Sequence, residues 1–429
     1  MDMPDPASPV QRDHHRWTVF GVISAVYFFV YFHRASTSVI VPDLIQTFQA
    51  DATTLGLMSS TYFYLYALEQ PLVGHLADRL GPRRVVGIWS LFAAGGCVLF
   101  GLAPTIGWAS VGRALIGFGV GGVFIPGMKA FSQWFWQREF ARMTGLFLAV
   151  GNLGAMVATT PLAWMAHTWG WRLSFLVIGT LTLGLAALTL WGLRDAPARE
   201  RQTEAADRKG IVGEKTATWK VTLAILQSSR FWILFFVFFG MFGAYGALQG
   251  LWATPFLMSA LGMNRIQASL LNMLLPAGFI VGAPFFGWVV DRIGRHKVRV
   301  LVANLVAETL LWIGVVWGAG WLGTTGMALV LASLGFAVGG MATAFWAMVR
   351  AATPGPILGL TTGLLNTAPF LGSALFQVWT GAILDSLGQV GGAYPPAAYQ
   401  KAFWVCLIAS AAPTALTWTL RRRLDGNSA

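Results

Sequence analysis

Long apolar runs separated by short polar gaps repeat along almost the whole chain. Twelve of them approach or exceed the roughly 20 residues that a helix needs to cross the hydrocarbon core of a bilayer. They lie near residues 17–41, 54–77, 85–104, 109–132, 141–166, 172–193, 230–257, 267–290, 297–319, 323–349, 357–385 and 397–420. The pattern predicts an all-α membrane protein with twelve transmembrane helices.

One long polar segment divides these runs into two sets of six. Residues Arg194 to Lys220 are rich in charge and alanine and poor in aromatic side chains, a composition typical of a linker. We therefore predict an N-terminal six-helix bundle over residues 1–193, a cytoplasmic linker over 194–229 and a C-terminal six-helix bundle over 230–429.

The composition excludes an ordinary soluble protein. Of 429 residues, 56% are hydrophobic and 11% charged, and the mean hydropathy is +0.62. A soluble domain has about 45–50% apolar and about 25% charged residues. The two cysteines, Cys97 and Cys406, both fall in predicted spans and indicate neither a disulfide nor a metal site.

The net charge of +12 follows the predicted topology. Lysine and arginine are concentrated in alternate loops, and the other loops hold little beyond Arg172, Arg265 and Lys401. This asymmetry is the positive-inside pattern, so both termini are expected to be cytoplasmic. The charge therefore indicates a multi-pass plasma-membrane protein, in a bacterium an inner-membrane protein, and not a partner for nucleic acid.

The two halves share an internal repeat. The stretch EQPLVGHLADRLGPRR from Glu69 aligns without gaps on GAPFFGWVVDRIGRHK from Gly282, 213 positions later. Pro71, Gly74, Asp78, Arg79 and Gly81 fall on Pro284, Gly287, Asp291, Arg292 and Gly294. The repeat indicates duplication, and two related bundles can rock about a central site.

The motif G-x-L-x-D-R-x-G-x-R-R, from Gly74 to Arg84, resembles the signature loop of the major facilitator superfamily. The second copy, from Gly287 to Lys297, strengthens the resemblance. It implies a secondary transporter that works by alternating access, in which such loops act as latches. The residues that the resemblance assigns to gating are Asp78, Arg79, Arg83, Asp291 and Arg292.

A second stretch, GRALIGFGVGGVFIPG from Gly112, resembles the superfamily's fourth-helix pattern of an arginine followed by spaced glycines. Arg113 is the arginine of this pattern. Two roles stay open for it: gating and coupling, or a structural bond to carbonyl groups of the first helix.

Arg34 interrupts the apolar stretch YFFVYFHRASTSVIVPDL of the first span. A charge inside a span costs at least about 2.5–3.5 kcal/mol, so we expect Arg34 to face a cavity and to have a partner. Tyr27, Tyr31 and Ser38 lie at helical spacing on nearly the same face. A guanidinium can bind a carboxylate or phosphate through two parallel hydrogen bonds. The alternative is a permanent structural pair with Glu69 or a helix carbonyl.

The spacing from Arg34 to Pro42 resembles that of the organophosphate antiporters and the anion:cation symporters of the superfamily. The resemblance implies that Arg34 holds the anionic group of the substrate, and Tyr66 matches a second-helix tyrosine of the organophosphate group. Gln70, however, stands where that group has a lysine, and the seventh helix has no arginine. A single cation favours a monoanion, most simply a carboxylate, over a sugar phosphate.

Other polar groups within the spans complete the predicted site. The candidates for substrate binding are Gln70 in the second helix, Gln249 in the seventh, Asn152 in the fifth and Asn366 in the eleventh, with Tyr245 and Trp252 nearby. Candidates for proton coupling are Glu69, His33, Glu308, Asp43 and Asp385. Glu69 is the first choice, because it lies nine residues, about 13 Å along a helix, from Asp78. Glu308 is expected to face the second signature loop.

No motif predicts an enzyme or a cofactor. The sequence has no Walker loop, metal-ligand cluster or activated nucleophile, and GFGVGG lies within a span and follows no strand. The expected partners are a small organic anion, protons and the lipid bilayer, with the protein a monomer. Two alternatives stay open: an exporter of amphipathic drugs or metal-chelating molecules, and a membrane sensor or enzyme that borrowed the fold. A buried cation at Arg34 disfavours cationic drugs.

Overall fold

A computed structural model describes residues 15–195, 215–293, 297–353, 355–390 and 392–424. Apart from an isolated bridge between Val390 and Ala393, the regular elements of these residues are helical. The predicted all-α class is therefore confirmed. Of the predicted linker, residues 196–214 lie outside the described ranges, and so do the signature-loop residues 294–296.

Within residues 15–195 the first bundle contains nine helices, several of which share a span. They are α1 His15–Ala35, α2 Thr37–Phe48, α3 Ala52–Leu80, α4 Pro82–Leu102, α5 Ile106–Gly121, α6 Phe124–Trp134, α7 Gln137–Val157, α8 Thr160–Trp169 and α9 Trp171–Gly192. Three pairs, α1 with α2, α5 with α6 and α7 with α8, each form one predicted span that is broken in the middle.

The remaining helices form a short connecting element and the second bundle. They are α10 Lys215–Gln227, α11 Ser229–Ala247, a π-helical turn Leu248–Trp252, α12 Ala253–Leu261, α13 Arg265–Asn272, α14 Leu274–Ile293, α15 Lys297–Trp317, a 3₁₀ turn Gly318–Gly320, α16 Gly323–Ala352, α17 Gly355–Leu387 and α18 Pro396–Leu424. The seventh span is α11, the π turn and α12; the eighth is α13 with α14. Ten of the spans are long and apolar enough to cross a membrane, and α3 and α18 account for the other two predicted spans.

Glycines set the spacing of the helices within each bundle. A Cβ atom on Gly117 of α5 would lie 2.2 Å from the carbonyl oxygen of Tyr62 in α3. In the second bundle, a Cβ atom on Gly282 of α14 would lie 2.2 Å from the carbonyl oxygen of Phe336 in α16. Backbones can approach this closely only where a side chain is absent, as is common between membrane helices.

The two bundles are joined at the end opposite the signature loops, which we call the distal end. The Ser38 hydroxyl donates to the Thr254 hydroxyl at 3.2 Å, and an ion pair joins Arg265 and Asp43 at 2.8 Å. Asp385 accepts hydrogen bonds from the backbone of Ala52 and Thr53 at 2.9 and 2.7 Å. The structure therefore shows a state closed at the distal end.

Candidate binding cavity between the bundles

A cavity lies between the two bundles near the middle of the molecule, and both halves contribute to its wall. In this state it is narrow: the free volume in which the centre of a water molecule can lie is about 10 Å³, which is room for about one water. It is lined by Tyr31, Arg34, Phe63, Asn152, Phe242, Tyr245, Gly246, Gln249, Phe279, Phe370 and Ser373. The central site that the internal repeat predicts therefore has a counterpart in the structure.

Arg34 supplies the positive charge of this cavity. It lies in the last turn of α1, directly before the break at Ser36, and only 8% of the residue is exposed. Its guanidinium carbon lies 4.4 Å from the ring centre of Tyr31 and 5.0 Å from that of Phe370. Aromatic faces attract a cation in this way, which helps to hold the charge in a dry site.

No carboxylate pairs with Arg34 within the described part of the chain, and its buried Nε atom has no hydrogen-bond partner. The permanent ion pair with Glu69 that the sequence leaves open is therefore not formed in this state. A guanidinium in a cavity without a counter-ion is a site for an anion that arrives from outside.

Polar side chains from both bundles also line the cavity. The Asn152 amide donates to the Leu148 carbonyl at 3.0 Å, and the Ser373 hydroxyl donates to the Pro369 carbonyl at 2.8 Å. Gln249 lies in the π-helical turn, a conformation often found at functional sites. Together with the hydroxyls of Tyr31 and Tyr245, these groups can orient a small polar molecule beside Arg34.

Two of the predicted tyrosines lie behind the cavity wall. Tyr27 is buried and stacks on Phe147, with ring centres 3.9 Å apart, and contacts Tyr31 edge-on. Tyr66 packs against Phe370 at 4.2 Å and lies 5.9 Å from the guanidinium of Arg34. Both residues support the aromatic side of the site.

Three other predicted residues are not brought to the cavity. Ser38 belongs to the distal-end contact with Thr254. The Gln70 amide donates to the carbonyls of Tyr66 and Gly121, at 3.2 and 3.3 Å, and thereby joins α3 to α5. Asn366 is half-buried in α17 and is not part of the lining.

Arg113 and His33 form a buried contact on the far side of α1. The Arg113 guanidinium donates to the His33 carbonyl at 3.0 Å and lies over the Tyr62 ring at 4.9 Å. The His33 ring lies 3.5 Å from the Cys97 sulfur and away from the cavity. This geometry matches the structural alternative stated for Arg113, a bond to a carbonyl of the first helix.

Glu69 is buried between α3, α4 and α5, at 4% exposure. One carboxylate oxygen accepts a hydrogen bond from the Trp89 indole at 2.7 Å, and the other has no partner. Tyr66 lies one turn earlier and interacts electrostatically with both Arg34 and Glu69. Glu69 is therefore connected to the cavity through Tyr66 rather than by direct contact with Arg34.

Glu308 is not at the second signature loop, so that expectation is wrong. It lies in the middle of α15, fully buried, and interacts electrostatically with Tyr245 of the cavity wall. The reason is the length of α15: Glu308 comes three helical turns after Lys297, in the middle of the span.

The predicted gating residues lie at the signature-loop end. Asp78 forms an ion pair with Lys129 of α6 at 2.8 Å. The Arg83 guanidinium donates to the Leu190 carbonyl at 2.6 Å, and Arg79 is exposed. In the second loop Asp291 and Arg292 are exposed, and Arg292 lies over the Trp288 ring at 4.1 Å.

The comparisons with known proteins agree with this architecture. A family model described as Major Facilitator Superfamily matches residues 23–253. A probable sulfoacetate transporter, SauU, of Cupriavidus necator is 25% identical and aligns over 88% of this chain and 90% of the relative. The hexuronate transporter of Escherichia coli K12 is 22% identical and aligns over 87% of this chain and 88% of the relative. The galacturonate transporter of Dickeya chrysanthemi is 25% identical and aligns over 69% of this chain and 87% of the relative.

Solved structures show the same fold at low sequence identity. A point mutant of the nucleoside transporter NupG superposes with a TM-score of 0.77 at 15% identity, covering 94% of this chain and 99% of that one. A D-xylose–proton symporter superposes with a TM-score of 0.72 at 13% identity, covering 94% of this chain and 97% of that one. The family match over more than half of the chain shows that the protein belongs to the Major Facilitator Superfamily, and together with the transporter relatives it shows a transporter rather than an enzyme.

Proposed function

We propose that the protein carries small organic monoanions, most simply carboxylates, across the membrane by alternating access, in symport with protons. The observation that supports the proposal most directly is Arg34. It is a buried guanidinium in a cavity between the bundles, and no carboxylate of the described residues neutralises it. An anion that binds there gains two charge-assisted hydrogen bonds and relieves the cost of the unpaired charge.

The charge of the cavity supports a monoanion. Arg34 is the one charged residue among the lining residues, so a second negative charge on the substrate would have no counter-charge there. The relatives named for sulfoacetate, galacturonate and hexuronate are consistent with an organic anion. Their names define the compounds with which a search for the substrate should begin.

For proton coupling we propose Glu69, with His33 as the other predicted candidate. The environment of Glu69 supports this role, because a carboxyl group with one unpartnered buried oxygen is stable when protonated and costly when charged. The connection through Tyr66 gives the substrate site a path by which its charge can act on Glu69. We also propose that both termini face the cytoplasm, in the inner membrane of a bacterium, since the positive-inside pattern favours this orientation.

Binding to purified protein tests the role of Arg34. Galacturonate, sulfoacetate and a lipophilic organic cation are compared by thermal shift and calorimetry on the wild type, Arg34→Lys, Arg34→Gln and the control Arg172→Lys. Arg172 is a partly buried arginine that lies away from the cavity and donates hydrogen bonds to the backbone carbonyls of Gly101 and Ala103. We expect the Arg34 variants to lose about tenfold or more in anion affinity, the value of one or two charge-assisted hydrogen bonds.

The same measurement distinguishes this function from the second candidate, export of amphipathic compounds, which the aromatic wall of the cavity would suit. An exporter of cationic drugs would bind the cation, and more tightly once Arg34 is neutral. Unchanged anion affinity in both Arg34 variants, or anion binding to none of the proteins, would contradict the proposed role of Arg34.

A further inference from the structure

Glu308 occupies an unusual environment in the second bundle. It is fully buried in the middle of α15, and neither carboxylate oxygen has a hydrogen-bond partner among the described residues. Asn304 and Trp312, four residues before and after it, lie on the same helix face. Both are buried, and each has a side-chain polar atom without a partner among the described residues: the amide oxygen Oδ1 of Asn304 and the indole nitrogen of Trp312.

No charged side chain of the described residues compensates Glu308. The helices packed against α15 are mainly α16 and α18, with α14 preceding it. Their described charged side chains lie near the helix ends and are exposed: Arg350 in α16, Lys401 in α18, and Asp291 and Arg292 in α14. The titratable groups of α18, Tyr399 and Cys406, are buried and neutral residues. An ionised carboxylate in such a place is very costly, so the carboxyl group of Glu308 holds its proton in this state.

Tyr245 is a polar group of the cavity wall that lies within electrostatic range of both Arg34 and Glu308. The first bundle has the same arrangement, with Tyr66 in range of Arg34 and Glu69. Each bundle thus has one tyrosine within electrostatic range of both the shared arginine and a buried acid of its own.

We propose that Glu308 is a second proton-binding site, located in the C-terminal bundle, and that Tyr245 couples it to the anion in the cavity. The inference rests on the proposed anion and proton symport. An anion at Arg34 and an ionised Glu308 carry like charges. The anion therefore favours the protonated carboxyl, and by linkage a proton on Glu308 tightens anion binding. The only bond that forms or breaks is the O–H bond of the carboxyl group.

Infrared spectroscopy tests the site without a ligand. A protonated carboxyl group that makes no hydrogen bond has a distinct carbonyl stretching band. We expect this band in the wild type at neutral pH, its loss in Glu308→Gln and its retention in Glu69→Gln, whose acid is bonded to Trp89. If Glu308→Gln leaves the carboxyl bands of the wild type unchanged, Glu308 is not a protonated site and the inference is overturned.

The coupling is tested with galacturonate as the probe, by its effect on the same band and by its affinity between mildly acidic and alkaline pH. One coupled proton weakens binding by at most about tenfold per pH unit as the pH rises. In Glu308→Gln we expect affinity at alkaline pH to remain close to the acidic value, because the residue can no longer become charged. Tyr245→Phe serves as the second variant and should reduce the dependence without changing the charge of the site.

The outcomes separate this inference from the proposed function. If Glu308→Gln keeps the full pH dependence while Glu69→Gln loses it, Glu308 is not coupled and symport through Glu69 stands. If the wild type itself shows no pH dependence, or if galacturonate at saturating concentration fails to restore the Glu308 band at an alkaline pH at which the free protein has begun to lose it, the coupling of Glu308 is wrong. Anion binding that still requires Arg34 would then support transport of anions without this proton site.

Discussion

Asp385 of the second bundle accepts a hydrogen bond from the backbone N–H of Thr53, in the first turn of α3, at 2.7 Å. The same carboxylate accepts from the N–H of Ala52 at 2.9 Å, and the Tyr394 hydroxyl also donates to it. The first N–H groups of a helix have no partner within the helix and carry partial positive charge. One bundle therefore caps a helix of the other, and the cap exists only while the distal end is closed.

Asp385→Asn should shift the protein towards a state that is open at the distal end. The amide keeps the size of the side chain but removes its charge, which weakens hydrogen bonds that are worth about 1.5–3 kcal/mol when charged. Spin labels at Gln46 and Val390, exposed positions on opposite bundles, report the distance between them. Both native cysteines are buried, which keeps background labelling low.

Asp51→Asn is the matched control for this variant. Asp51 caps the same helix through the N–H of Thr54 at 2.7 Å, but it belongs to the same bundle as α3. It should lower stability slightly and leave the distance between the labels unchanged. An equal shift in both variants would show that the helix end, and not the contact between bundles, controls opening.

The fold can be predicted from the sequence because the bilayer makes a strong demand on it. Backbone groups within the hydrocarbon core must bond internally, so each long apolar run becomes a helix. Arg34 is predictable for the same reason, since a charge in a span has few stable places other than a cavity. Phe63, Phe279 and Phe370 are not, because in a chain with 30 phenylalanines composition does not show which of them face the cavity.

Two other details of the site are not visible in the pattern of apolar residues. A helical period of 3.6 residues predicts Ser38 beside Arg34, but Ser38 lies one turn nearer the distal end, where its hydroxyl bonds to Thr254 of the other bundle. The sequence predicts Gln249 for the site, yet the π-helical turn that contains it has no signature in the pattern of apolar residues.

Glu69→Gln should retain exchange of anion across a proteoliposome membrane and lose uphill accumulation driven by an inward proton gradient. The amide resembles the protonated acid in size but cannot release a proton. Trp89→Phe is the companion variant, because it removes the hydrogen bond that the indole donates to Glu69 and keeps the acid. We expect it to keep accumulation at an altered rate. Full accumulation by Glu69→Gln would move the coupling to Glu308 or His33.

Asp78→Asn should slow the transport cycle more than it weakens substrate binding. Its ion pair with Lys129 lies at the signature-loop end, away from the cavity, and the side chain of Asp78 is 74% exposed. Exposed pairs contribute only about 0–1 kcal/mol to stability, so the melting temperature should hardly change. Turnover and dissociation constant are measured on the same preparation. A loss of transport fully explained by weaker binding would refute the latch role of this loop.

Gly117→Ala should destabilise the first bundle and disturb the support of Arg34. The added Cβ would lie 2.2 Å from the Tyr62 carbonyl oxygen and 2.6 Å from its Cα atom, so the backbones of α3 and α5 must separate. The Tyr62 hydroxyl donates to the Val30 carbonyl of α1 at 3.0 Å, and the Tyr62 ring lies against Arg113. Overpacking of this kind costs about 1–3 kcal/mol.

Gly145→Ala is the control, because nothing lies within 4 Å of a Cβ atom built at that position in α7. Alanine favours a helix over glycine by about 1 kcal/mol, so this variant should melt at the same or a higher temperature than the wild type. Gly117→Ala should melt at a lower temperature and bind galacturonate more weakly, since α3 carries Tyr66 as well as Tyr62. Equal melting temperatures for the two variants would show that α3 and α5 can separate at no cost, which their backbone contact argues against.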